Sequence, residues 1–88
     1  MVDKGEDISM PKSEELVLLG LRIKSLRESR SMTQEQLGFE SGLDRTYVSD
    51  LERGNRNLSY TGLTKIAKGL NISISEMLVN IDEISPTN

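Results

Sequence analysis

The 88-residue chain contains no cysteine and no histidine. A disulfide framework, a thiolate or imidazole metal site and Cys- or His-based nucleophilic catalysis are therefore excluded. Absence of cysteine also fits a reducing cytoplasm, the expected location. No apolar run approaches the ~18 residues of a membrane helix, and the acidic start lacks the basic first region and apolar middle of a secretion signal. Strand-like alternation does not rise above noise, and there is no repeat or low-complexity segment. Positive charge is also scarce overall, with a formal net charge of −3. Residues 16–80, however, hold nine basic and seven acidic side chains, so the excess acid lies in the two ends. Phosphate binding depends on the local patch more than on the sum over the chain. The footprint is weak, and dimerisation or cooperative binding is expected to supplement it. One small domain of this size has a marginal core, which burial between two copies would help.

The most informative stretch is residues 33–54. Thr33 and Gln36 form a Thr-x-x-Gln capping box that starts a helix. Gly42 can end that helix in the left-handed conformation, and Asp44 stands where a second helix needs its N-cap. Leu37, Leu43, Val48 and Leu51 can face one small core, leaving Gln34, Arg45, Thr46, Ser49 and Asp50 outside. Two short helices joined by a tight turn at residues 41–43 make a helix-turn-helix, which places its second helix in the DNA major groove. The bare pattern also suits an ordinary helical hairpin. The following Leu-Glu-Arg-Gly-Asn-Arg-Asn segment favours DNA, because it sets Arg53, Asn55, Arg56 and Asn57 where a phosphate backbone would pass.

Around this motif, residues 1–12 are polar, with Gly and Pro and no period, and read as a flexible acidic arm. Ser13 with Glu14 and Glu15 reads as the start of a first helix running to Ser29, whose apolar stripe is Leu16, Leu19, Ile23 and Leu26. A fourth helix follows Ser59, with Leu63, Ile66, Ala67 and Leu70 inward and Asn71 closing it. Ser73 and Glu76 form a second capping box, opening a fifth helix with Met77, Leu78 and Ile81. Residues 13–81 are thus one all-α, five-helix domain, and residues 82–88 a frayed tail.

Residues 19–78 resemble the lambda-repressor-like (Cro/Xre) helix-turn-helix family. The resemblance rests on Thr33-Gln34-Glu35-Gln36-Leu37, Ser41-Gly42-Leu43, Tyr47-Val48-Ser49, Leu51-Glu52-Arg53-Gly54 and Leu63-x-x-Ile66-Ala67-x-x-Leu70. Within it, residues 43–49 followed by Glu52-Arg53-Gly54-x-Arg56-Asn57 are similar to controller proteins of restriction–modification systems. The resemblance implies a compact five-helix fold and a structural ion pair between Arg27 and Glu52. Gly38 stands where Ala is usual, which should cost ~1 kcal/mol of helix propensity. Ser31 replaces an expected Gly, so the turn after the first helix is expected to differ.

The expected function is a sequence-specific, double-stranded-DNA-binding transcriptional regulator acting as a homodimer on a pseudo-palindrome. Base contacts are assigned to Arg45, Thr46, Ser49 and Asp50. Arg45 suits guanine O6 and N7, Thr46 the thymine methyl, and Asp50 either cytosine N4 or a neighbouring Arg. Phosphate contacts are assigned to Gln34, Tyr47, Asn55, Arg56 and Asn57, and dimer contacts to Ile72, Ile74, Met77, Leu78 and Ile81. No catalytic residue, metal, cofactor, membrane or small-molecule ligand is expected. An antitoxin or adaptor-type protein-binding module on the same fold is the alternative. An enzyme would need a carboxylate pair in a cleft that a domain this small hardly affords.

Overall fold

The computed structural model describes residues 13–83, and the acidic arm and residues 84–88 lie outside them. Five helices follow in order: α1 Glu14–Ser29, α2 Gln34–Ser41, α3 Arg45–Glu52, α4 Tyr60–Leu70 and α5 Ile74–Leu78, then a 3-10 turn Ile81–Glu83. No strand occurs among the described residues. Helix α2 packs against both α3 and α4, and α1 crosses α3 and α5.

The helix boundaries have local causes. Capping boxes open α2 (Thr33 with Gln36) and α5 (Ser73 with Glu76), and Ser59 Oγ accepts from Gly62 N at the start of α4. Ser13 and Asp44 hold the N-cap positions of α1 and α3 without side-chain capping bonds. Instead, Ser13 Oγ donates to Glu15 Oε1 at 2.6 Å, which holds the Glu15 carboxyl below its ordinary pKa.

Helices α1, α2 and α4 end in the same Schellman pattern, with bonds Met32 N–Arg27 O, Leu43 N–Gly38 O and Ile72 N–Ala67 O, each spanning five residues. The left-handed position is filled by Ser31 (φ 56°), Gly42 (φ 71°) and Asn71 (φ 60°). The turn after α1 therefore keeps the form that a Gly would give. Ser31 adopts a conformation that costs a residue with a Cβ about 1–2 kcal/mol.

The core is Ile23, Leu37, Val48, Leu51, Leu58, Ile66, Ala67, Leu70 and Met77, with Leu19, Leu26, Leu43, Tyr47 and Leu63 half-buried against it. Met77 is completely buried, so it is a core residue and cannot serve a dimer surface. Helix α5 ends at Leu78, and Ile81 lies beyond it in the 3-10 turn.

Two glycines let backbones meet. A Cβ on Gly20 would lie 2.5 Å from Leu51 O and 2.6 Å from Glu52 O, so its absence sets the α1–α3 crossing. A Cβ on Gly38 would lie 2.7 Å from Leu43 O. Gly38 therefore lets the chain fold tightly back between the two motif helices, and the propensity cost expected of it is offset by that contact.

Candidate nucleic-acid interface

Burial of Val48 and Leu51 fixes the rotation of α3. Residues four apart stack along a helix, so Arg45–Ser49 and Thr46–Asp50 form two polar rows on its outer side. Arg45 and Thr46 are exposed, and Ser49 and Asp50 half-buried. These four side chains form one continuous polar face at the end of the helix that a groove would receive.

The orientation of that face is held from within. Arg27 Nε donates to Glu52 Oε2 at 2.6 Å and Arg27 Nη2 to Glu52 Oε1 at 3.0 Å, a bidentate pair in which both residues are buried. Arg27 Nη1 also donates to Met32 O at 2.7 Å, tying in the turn after α1. Gln34 Nε2 donates to Glu52 Oε1 at 3.0 Å. One carboxylate thus joins the last residue of α3 to α1 and to the first residue of α2. The hydrogen bonds that Arg27 donates to Glu52 raise its pKa, against the opposing effect of desolvation. Buried pairs of this kind fix geometry more than they add net stability.

Gln34 sits at the N-terminus of α2, as a phosphate contact requires, but its side-chain amide is turned inward to Glu52.

At the other end of the motif, Gly54 takes φ 75° and Asn55 N donates to Asp50 O at 2.9 Å, closing a turn that leaves Asn55, Arg56 and Asn57 exposed. The Arg56 guanidinium lies 4.3 Å from the Tyr47 ring centroid, a cation–π contact. Tyr47 is half-buried against the core, and its hydroxyl reaches the first turn of α4 beside Gly62. Arg56, Tyr47 and the N-terminus of α4 therefore converge on one side of α3.

Asp50 is drawn into this group. Its Oδ1 accepts from Arg53 Nη2 at 2.7 Å, and its Oδ2 lies 3.5 Å from Arg56 Nη2. Arg53 Nη1 also donates to Ser49 Oγ at 2.6 Å. The sequence sets Arg53 beside the expected phosphate backbone without assigning it a contact or a partner. Its spacing of three from Asp50 was the available signal.

The apolar candidates near the C-terminus divide into separate places. Leu78 and Ile81 line a groove of ≈260 Å³ with Leu18, Leu19 and Leu63, edged by Glu15 and Asp82. Ile72 and Ile74 are half-buried against the core outside this groove. Among the described residues no three His, Cys, Asp or Glu side chains gather as a metal would require, and no helix is long and apolar enough to cross a membrane.

Comparison with known proteins gives concordant matches. A family model described as Helix-turn-helix matches residues 23–77. The chain is 44% identical over 63 residues to the control protein C.BamHI of Bacillus amyloliquefaciens, covering 70% of this chain and 78% of that one. The crystal structure of the restriction-modification controller protein C.AhdI from Aeromonas hydrophila superposes with a TM-score of 0.72 at 43% identity, covering 74% of this chain and 98% of that one. The wild-type restriction-modification controller protein C.Esp1396I gives a TM-score of 0.74 at 41% identity, covering 82% and 97%.

Proposed function

Since the chain belongs to the helix-turn-helix family, among the restriction-modification controller proteins, we propose that it is a sequence-specific DNA-binding transcriptional regulator governing expression of a restriction–modification operon, its own gene included. The observation that carries this is the outer face of α3. Arg45, Thr46 and Ser49 are presented on a short helix that a buried Arg27–Glu52 pair, joined by the half-buried Gln34, braces to both preceding helices. A groove reader needs such rigidity, because base recognition depends on donors held in position.

Arg45 donates to guanine O6 and N7, Thr46 packs its methyl on a thymine C5-methyl, and Ser49 bonds to a base or a neighbouring phosphate. Arg56, Asn55, Asn57, the Tyr47 hydroxyl and the N-terminus of α2 at Gln34 contact the phosphates that position the helix.

A single recognition helix spans only a few base pairs, so the protein works as a two-fold dimer on half-sites ~34–36 Å apart. The groove formed by Leu18, Leu19, Leu63, Leu78 and Ile81 supports a dimer surface, since it gathers apolar side chains of α1, α4 and the C-terminal segment. Met77 takes no part in it, being enclosed in the core.

Selection of bound sites from a random duplex library at near-physiological salt tests this function. The expected product is a two-fold-symmetric motif. Recovery of no motif from a folded protein would contradict it.

A further inference from the structure

Asp50 is an anion on the face that must approach a polyanion, and it is not idle there. Its two oxygens face two guanidinium groups, Arg53 Nη2 at 2.7 Å and Arg56 Nη2 at 3.5 Å. Arg53 is also held by Ser49 Oγ at 2.6 Å, and the Arg56 guanidinium lies over the Tyr47 ring, 4.3 Å from its centroid. The backbone of Asp50 belongs to the same unit, because its carbonyl accepts from Asn55 N and closes the turn that carries Arg56. Both arginines are about half exposed and the carboxylate about one-quarter exposed, so an incoming phosphate oxygen can reach the guanidiniums that Asp50 engages.

We propose that Asp50 acts as an intramolecular phosphate mimic. It holds Arg53 and Arg56 in place and offsets one of their two positive charges toward any duplex that cannot displace it, so its role is to limit binding to non-cognate DNA. This inference rests on the DNA-binding function proposed above.

The physical reasoning is competitive. Carboxylate and phosphate oxygens are alternative acceptors for a guanidinium, so a DNA phosphate competes with Asp50 for the Nη2 groups of Arg53 and Arg56. A non-cognate duplex offers phosphates alone. A cognate duplex also engages Arg45 and Thr46, which seats α3 deeply enough for the exchange to occur. Non-specific affinity is mainly counterion release, and a carboxylate that offsets one of the two guanidinium charges reduces that release. Asp50 thereby sets the ratio between cognate and non-cognate binding, and reading a cytosine is not its task.

The test is Asp50→Asn, which keeps the shape and removes the charge. Affinities for the selected operator and for a scrambled duplex are measured by fluorescence anisotropy across a salt series. The scrambled duplex should bind about five- to tenfold more tightly near 0.1 M salt for each phosphate gained, with log K against log salt steeper by about 0.9 per phosphate. Operator affinity should rise less, so the specificity ratio falls. Glu40→Gln, which removes one negative charge from the exposed end of α2, should leave the ratio unchanged. In an Arg53→Ala/Arg56→Ala background, Asp50→Asn should give no further gain. Thermal melts of each variant confirm folding, and Asp50→Ala serves if the Asn variant does not fold.

Unchanged scrambled-duplex affinity, an equal gain without the two arginines, or loss of preference at a single C·G pair would each overturn the inference while leaving the function intact. Failure of the unsubstituted protein to bind any duplex would overturn both.

Discussion

Gly20→Ala sets two opposing effects of known size against each other. Alanine favours a helix interior over glycine by about 1 kcal/mol, and Gly20 lies within α1. On propensity alone the substitution should stabilise. The added methyl would stand 2.5 Å from Leu51 O, 2.6 Å from Glu52 O and 2.9 Å from Glu52 C, where ordinary contact begins at 3.4 Å. All three atoms are backbone of α3, so no side-chain rotation relieves the overlap, and α1 must move away from α3 by roughly 0.5 Å or more. Overpacking of this kind costs about 1–3 kcal/mol. The displacement also stretches the Arg27–Glu52 pair, which has nearly ideal lengths at 2.6 and 3.0 Å. The net expectation is a destabilisation of about 1–2 kcal/mol, which lowers the melting temperature of a domain this size by roughly 4–8 °C per kcal/mol. Thermal and urea unfolding followed by circular dichroism measure it. An unchanged or raised melting temperature would refute the claim that Gly20 is required by the α1–α3 crossing.

Ser31→Gly removes the penalty of a left-handed serine at φ 56° and should stabilise by about 0.5–1 kcal/mol, read as a higher urea midpoint at constant slope. Glu52→Ala leaves the Arg27 guanidinium buried without its carboxylate and should cost about 3–5 kcal/mol, whereas the pair Arg27→Met with Glu52→Leu should cost much less; urea unfolding of the three variants decides this. In Ser13→Ala the Glu15 carboxyl should titrate higher, because the hydroxyl bond that depresses it is gone. A depressed folded-state pKa gives stability that is present above the ordinary carboxylate range and lost as the pH falls through the depressed value. The variant should therefore show a shallower loss of stability on acidification, and NMR titration of the Glu15 side chain reports the shift directly.

The motif was legible in the sequence where the signals are local. The Thr33–Gln36 and Ser73–Glu76 boxes, the left-handed Gly42 and Asn71, and the spacing of Val48 and Leu51 depend on neighbours within five residues, and all take their anticipated form. The exposed face of α3 follows from that spacing. Features that depend on how helices meet were not legible. Gly20 gives no sign in the sequence that another backbone passes over it, and Gly38 looks like a propensity defect until Leu43 O is seen against it. Met77 was misplaced because a five-residue helix with several apolar residues has no unambiguous inward side, and only the packing of α5 on α1 and α4 decides it. The Ser31 turn shows the opposite error. Loss of the expected glycine suggested a different turn, yet the hydrogen bonds of the Schellman closure outweigh the strain of a serine there. The two-arginine engagement of Asp50 joins a helix to a loop, and spacing along the chain marked only its Arg53 half.

The most direct test of base reading by α3 is a double-mutant cycle between Arg45→Ala and the selected operator, substituting each base pair in turn. The expected result is a coupling energy of about 1–3 kcal/mol at one symmetry-related pair of guanines and near zero elsewhere. A uniform loss of affinity across all operators, with no coupling at any position, would make Arg45 a phosphate contact and contradict the account.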